Sequence, residues 1–403
     1  MKDGKDVKDL TRVVHHPAVS HEGFASLAVP TYRASTITFE DAEAYENRRK
    51  RGPDGYVYGM YGTPTTRTLQ AQLSALEGAA RTMITPSGQA AIALVFLTVL
   101  VPGDKVLIPD CVYPPTRLLC TRFLAARGID HEVYDPLIGA GIADLIDDRT
   151  KLIWLESPGS MTMEVADTAA ITAVARERGV LTGCDNTWAT PLLFKPLMHG
   201  VDFATEAITK YISGHSDIVL GSISVRDTQL YQRLVDTLQV IGTSVSADDC
   251  SLALRGLETL GVRLGHCGRV STDFARRLQE FPAVTRVMHP ALPTCPGHQF
   301  WLRDFAGASG VFSFVLDPRT KPALNSALNG TRVFTLGASW GGTRSLIGPR
   351  PIKEDRTLRT WTDEGPAIRI SIGLEDPEDL WNDLERLLLE LGRTVLTKTR
   401  EAR

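Results

Sequence analysis

The chain is predicted to adopt an α/β architecture, with a mostly parallel mixed sheet wrapped by helices and a smaller α+β domain at the C-terminal end. Three observations support this. Short β-rich runs alternate with longer helical patterns between about residues 81 and 210, the rhythm of parallel strands joined by crossover helices. After about residue 255 the alternation gives way to one long helical stretch and a few strands. With 403 residues the chain can bury sizeable cores in about two to three domains, and neither an internal repeat nor a low-complexity linker interrupts it.

Taken in order, residues 1–62 are rich in turn formers and weakly periodic, which suits an arm lying against a neighbouring subunit. A large domain is expected over residues 63–256. Its strands are "RTMIT" (81–85), "KVLIP" (105–109), "HEVYD" (131–135), "KLIWLE" (151–156), "GVLTGCD" (179–185) and a run ending at Lys210. Such short apolar runs suit strands buried on both faces. Helical stretches such as "QAAIALVFLTVL" and "DTAAITAVARERG" lie between them. A C-terminal domain is expected over residues 257–403. It opens on the long helix "LETLGVRLGHCGRVSTDFARRLQEF", continues through strands within "GVFSFVL" and "AIRISIGL", and closes with a helix from about Pro377.

Charge excludes some functions. With 44 basic against 47 acidic residues and a net charge of −3, the chain lacks the basic footprint of a nucleic-acid binder. The opening "MKDGKDVKDL" is charged, and the longest apolar run, Ala90 to Val101, is too short to span a bilayer, so neither a signal peptide nor a membrane anchor is expected. A cytoplasmic location follows as the expectation. The six cysteines show no C-x-x-C pair and no zinc-like spacing with histidine, so they read as core thiols and no metal is expected.

Ligands of open α/β sheets bind beyond the carboxyl ends of the strands. Four positions there invite chemistry. In "TPSGQAA", Ser87, Gly88 and Gln89 open a helix after a strand, where free N–H groups and a positive dipole end suit a phosphate. Asp185 in "CDNTW" suits a ligand cation, and Tyr113 in "CVYPPT" offers a ring for stacking. Lys210 closes a β-rich run with the Thr209 hydroxyl beside it. Each has an ordinary reading when taken alone: a helix cap, a turn aspartate, a packed tyrosine, a surface lysine with its amine in water. Together they are the parts a pyridoxal phosphate enzyme needs. Those parts are an amine to form the imine, a carboxylate to keep the pyridine nitrogen protonated, a stacking ring and a phosphate cradle.

The run "DFATEAITKYISGHS" (202–216) resembles the lysine signature of the cysteine and methionine metabolism family of pyridoxal phosphate enzymes, which have the aspartate aminotransferase fold. "YDPLIGAGI", "ESPGSMTMEV", "HPALPTCPGHQFWLRDFAGASGVFSFVL", "SWGGTRSL" and "IRISIGLEDPEDL" are similar to its bacterial cystathionine β-lyase branch. Two positions separate that branch from the γ enzymes. Ser160 stands where the γ branch typically carries asparagine, and Trp340 stands where it usually carries leucine.

The resemblance implies an enzyme using pyridoxal 5'-phosphate that cleaves L-cystathionine to homocysteine, pyruvate and ammonia in methionine biosynthesis, as a cytoplasmic homotetramer. It further implies that Lys210 carries the cofactor and moves protons, that Asp185 pairs with the pyridinium, and that Tyr113 stacks on the ring. Gly88, Gln89 and Thr209 would bind the phosphate, while Arg369, with Ser339 and Trp340 beside it, would clamp the substrate α-carboxylate. In the family a "YGxxG" segment supplies a tyrosine and an arginine to the phosphate of a neighbouring subunit. Here "YGMYGTPT" keeps Tyr58 but has Met60 at the arginine's place, with Arg67 as a nearby substitute. The rival expectations are a γ-lyase or γ-synthase, a β-lyase of other cysteine S-conjugates, and a binding protein that keeps the cofactor without turnover.

Overall fold

The computed structural model describes residues 22–401 except 24, 53, 359 and 360. The charged opening and the first part of the expected arm therefore lie outside the described residues. The larger sheet has seven strands: β1 (Arg81–Thr85), β2 (Lys105–Pro109), β3 (Asp130–Tyr134), β4 (Thr150–Glu156), β5 (Leu181–Asp185), β6 (Phe203–Glu206) and β7 (Gly221–Val225). Their order is β1-β7-β6-β5-β4-β2-β3. The strands from β6 through β3 pair in parallel, and β7 runs antiparallel to both its neighbours, β6 and β1.

Helix α1 (Pro64–Glu77) precedes β1, α2 (Gly88–Val99) joins β1 to β2, α3 (Thr168–Glu177) joins β4 to β5, and α4 (Thr228–Ile241) follows β7. Alternate side chains divide between the two faces of the sheet. Val106, Ile108, Leu152 and Trp154 join the core formed with α2 and α4, whereas Leu107, Ile153 and Leu155 join the core formed with α3. A strand covered on both faces has no polar side, which explains the unbroken apolar runs of β2 and β4. Trp154 is fully buried against Phe96, and truncating it to alanine is expected to cost about 3–5 kcal/mol.

Two features depart from the sequence expectations. The strand leading to Lys210 ends at Glu206, and Lys210 lies in the turn that follows. The Thr209 hydroxyl and main chain both bond to Leu220, tying the turn down before its residues can extend the ladder. The other departure is β7, "GSISV", a strand absent from the sequence expectations. Inside the sheet the Ser224 hydroxyl pairs with Thr82 at 2.8 Å, so its polarity is satisfied across the sheet.

The C-terminal half begins with α5 (Ala247–Leu278), ten residues earlier than the periodicity alone suggests, at the Ser246 cap. This helix runs unbroken through residue 256. Its first half packs with Ile208, Tyr211 and Ile212 near the Lys210 turn, and its second half with the smaller sheet. That sheet has the order β10-β11-β12-β9-β8, from β8 (Val284–Met288), β9 (Val311–Leu316), β10 (Thr335–Leu336), β11 (Leu346–Arg350) and β12 (Ala367–Ser371). Helix α6 (Pro377–Glu401) packs Leu380, Leu384 and Leu388 onto the same core. Among the described residues no helix is long and apolar enough to cross a membrane. All six cysteines are buried and unpaired.

Candidate active site

The carboxyl ends of the large sheet and one edge of the small sheet enclose a cavity of about 230 Å³. Its wall gathers the Gly88 and Gln89 start of α2, Tyr113 beyond β2, Asp185 ending β5, the Thr209–Lys210 turn, and Trp340 and Arg369 from the C-terminal half. Residues far apart in sequence thus meet at one place.

Lys210 is the centre of the arrangement. Its Nζ donates to Ser339 Oγ at 2.7 Å and sits 5.4 Å from the centre of the Trp340 ring. Burial, followed by the Arg369 guanidinium, pushes its pKa down to about 8, with Asp185 opposing. A desolvated lysine of this kind holds much of its amine neutral near pH 8, and a neutral amine attacks carbonyls. Asp185 opens onto the cavity but is surrounded by protein. Burial raises its pKa, and the Thr187 N–H, which donates to Oδ1 at 2.9 Å, pulls the other way.

Tyr113 precedes the short helical turn Pro114–Leu118, and its N–H donates to Glu156 at 2.7 Å. The residue is 40% exposed and lines the cavity, where a planar ligand can meet its ring. At α2 the Ser87 hydroxyl accepts from the Ala90 N–H as a cap, while Gly88 and Gln89 line the cavity. Gly88 has a packing reason: a Cβ there would come within 2.6 Å of Ala207 Cβ. The Gln89 Oε1 is buried without a partner. Thr209 also lines the cavity, but its hydroxyl both donates to and accepts from the Leu220 main chain, at 3.0 Å each way. Arg369 donates to Ala338 O at 2.6 Å, and burial followed by Arg350 lowers its pKa to about 10.

Tyr58, Met60 and Arg67 lie elsewhere in this chain. They line a second cavity of about 680 Å³ together with Tyr231 and Thr243, so a single chain does not bring Tyr58 to Lys210. Arg67 there donates to Tyr61 O at 3.1 Å.

Sequence reasoning missed Glu156, Arg350 and Arg356. Burial and Asp185 raise Glu156 well above the carboxylate range. A carboxylate ending the apolar run "LIWLE" was a legible signal for it. Arg356, whose side chain is 5% exposed, bonds Asp110 at 2.9 Å, Thr162 at 2.8 Å and Glu164 at 2.7 Å. It thereby fastens the loop that carries Tyr113 to the loop that carries Ser160. No local pattern marks it, because its partners are more than 190 residues away.

A model of the Cys/Met metabolism PLP-dependent enzyme family matches residues 10–389. The chain belongs to this family. It is 40% identical to the cystathionine β-lyase MetC of Escherichia coli, over 88% of this chain and 91% of that protein. It is 39% identical to an L-alanine/L-glutamate racemase of Wolbachia pipientis, over 91% of this chain and 93% of that one. The crystal structure of cystathionine γ-synthase from Xanthomonas oryzae, in complex with aminoacrylate and cysteine, superimposes with a TM-score of 0.85 at 32% identity, covering 93% of this chain and 95% of that one. As a family member the chain is a pyridoxal phosphate-dependent enzyme with an α/β fold. Its cavity fits the cofactor on its own evidence: a partly neutral buried lysine, a carboxylate at a strand end, the unpartnered Gln89 Oε1, and a helix start packed too closely for any side chain at Gly88.

Proposed function

We propose that this chain is a carbon–sulfur β-lyase that cleaves L-cystathionine to homocysteine, pyruvate and ammonia. The observation that carries this reading is the Lys210 amine, desolvated, held by Ser339 and within the fields of both Asp185 and Arg369. When bound, pyridoxal phosphate supplies an electron sink for the carbanion formed at the substrate Cα. Lys210 holds the cofactor, then takes the Cα proton and returns it towards the departing sulfur. Asp185 holds a proton at the ring nitrogen by charge pairing. Tyr113 would stack on the cofactor ring, and the helix start at Gly88 and Gln89, with Thr209 once its hydroxyl leaves Leu220, would hold the phosphate. Arg369 orients the α-carboxylate with Ser339 and Trp340 beside it. Ser160 and Trp340 favour β- over γ-cleavage on the family pattern.

The same proposal covers the assembly. Residues 1–62 serve as an arm that carries Tyr58 to a neighbouring subunit's site, 63–256 as the cofactor domain and 257–403 as the C-terminal domain of a cytoplasmic homotetramer. Exposed Tyr45 and Tyr58 on the arm, with Val240 and Val262 on α4 and α5, support self-association. The test is the keto acid released from L-cystathionine by the purified holoenzyme. Pyruvate is expected, and 2-oxobutyrate would overturn the reading in favour of γ-cleavage. No keto acid, with alanine racemised instead, would place the chain with its racemase relative.

A further inference from the structure

Arg350 and Arg369 stand on paired strands of the small sheet. Arg369 lies opposite Gly348 in the β11–β12 register, so Arg350, two residues on, is its diagonal neighbour on the same face. Glycine at 348 leaves no side chain between them. Both guanidinium groups turn to one carbonyl: Arg369 Nη2 donates to Ala338 O at 2.6 Å, and Arg350 Nη2 donates to the same oxygen at 3.1 Å. The two nitrogens are therefore no farther apart than the sum of those two contacts.

Neither cation is matched by an acid. Among the described residues, Arg350 donates only to the Gly337 and Ala338 carbonyls, Arg369 only to the Ala338 and Ser339 carbonyls, and Arg350 Nε is buried without a partner. Two like charges this close oppose each other unless an anion shares them. The α-carboxylate of an amino acid accounts for Arg369 alone. It leaves Arg350, which adjoins the cavity through Ala338 without itself lining it and whose charge acts on Lys210 and Tyr113, without a function.

We infer that Arg350 is a specificity-determining residue, receiving the second, distal carboxylate of a dicarboxylic thioether while Arg369 holds the α-carboxylate. This rests on the β-lyase reading and names the substrate class within it. A flexible thioether carrying a carboxylate at each end meets two cations with two anions. A cysteine thioether with an uncharged tail leaves Arg350 unmatched, in a site where its charge opposes the neighbouring Arg369.

The test compares Arg350→Gln and Arg350→Lys with the wild-type holoenzyme on two substrates, L-cystathionine and S-ethyl-L-cysteine, which lacks the distal carboxylate. Loss of one charge-assisted contact is expected to lower kcat/KM for cystathionine roughly tenfold to a hundredfold in Arg350→Gln, mostly through KM. S-ethyl-L-cysteine should change less than threefold, and Arg350→Lys should recover part of the loss. Glutarate, with two carboxylates, should inhibit wild type more strongly than butyrate and lose that advantage in Arg350→Gln. Equal losses on both substrates would overturn the inference, since Arg350 would then merely position Arg369. An unchanged ratio of glutarate to butyrate inhibition would overturn it as well, and that measurement remains informative if turnover is weak. A wild type that cleaves neither substrate would overturn the β-lyase reading itself, an outcome distinct from either of these.

Discussion

Lys210→Ala is expected to remove turnover, by on the order of 10⁴-fold or more, because one amine serves as both attachment point and proton carrier. Its described side-chain bond is to Ser339, so the far-ultraviolet circular dichroism should be unchanged. Near-normal cleavage of cystathionine by that variant would remove Lys210 from the chemistry. Lys210, Asp185 and Tyr113 were legible in the sequence because each lies in a short motif at or just beyond a strand end, and Arg369 because of the motif around it within its strand. Arg350 and Arg356 were not, since their significance lies in partners brought together only by the fold: Ala338 and Arg369 for one, Asp110 and Glu164 for the other. Met60 is a different kind of case, a visible departure whose consequence depends on the assembly. It shares its cavity with Tyr58 and Arg67. If that cavity wall meets a neighbour's phosphate, Met60→Arg adds a charge-assisted contact and should tighten cofactor binding about tenfold. Cofactor dissociation from reconstituted apoenzyme across a phosphate series measures this; equal or weaker binding would show that Met60 faces away from the phosphate or that Arg67 already neutralises it.

At the scale of elements, the ends of α1 and β6 place two carboxylates in the protein interior. Glu77 is 2% and Glu206 5% exposed, and neither Glu77 oxygen has a hydrogen-bond partner. Burial drives the Glu77 pKa up to about 8 against the pull of Lys195, and burial followed by the Glu77 charge drives Glu206 well above the carboxylate range. A carboxyl group protonated in the folded state and ionised in the unfolded state binds the extra proton when folded, so stability falls as pH rises from the ordinary carboxylate value towards 8. Buried His289, depressed to about 3, acts in the opposite sense: its contribution is lost as pH falls below the ordinary histidine value. Above about pH 7.5 His289 is neutral in both states, and the decline due to the carboxylates is then opposed by Lys210, whose pKa of about 8 lies below the ordinary lysine value. Glu77→Gln should therefore flatten the decline of stability there, by up to about 1.4 kcal/mol per pH unit for one proton. Urea midpoints at several pH values measure it, and parallel wild-type and variant curves would show that Glu77 is as ionised in the folded protein as in the unfolded chain. The elements themselves were mostly readable, because strands covered on both faces are uniformly apolar. The exceptions were β7, where the Ser224 hydroxyl is satisfied by Thr82 across the sheet, and the end of β6, where Thr209 binds Leu220.

At the scale of the whole molecule, one chain holds the proposed parts in two separate places. Lys210, Asp185, Tyr113 and Arg369 share one cavity, and Tyr58 lines another beside Met60 and Arg67. Tyr58 is 46% exposed, and its only described side-chain bond is a long one of 3.5 Å to Ser35, so little inside its own chain holds the phenol. On the proposed reading, a tyrosine that its own fold leaves exposed and apart from Lys210 serves the site of another copy. Complementation between two defects tests this. Lys210→Ala and Tyr58→Ala homo-oligomers should each be nearly inactive. If every site takes its lysine from one subunit and its tyrosine from the next, a mixed dimer has one site with both defects and one with neither. Co-expressing the two variants with different tags and isolating the doubly tagged species should then restore activity, up to half of wild type, since each mixed dimer within the tetramer has one intact site in two. If Tyr58 served the site of its own chain, every site in the mixture would carry one defect, and the doubly tagged species would be as inactive as its parents. Tandem affinity purification separates that outcome from a failure to associate, because one species retains both tags only if the two chains assemble.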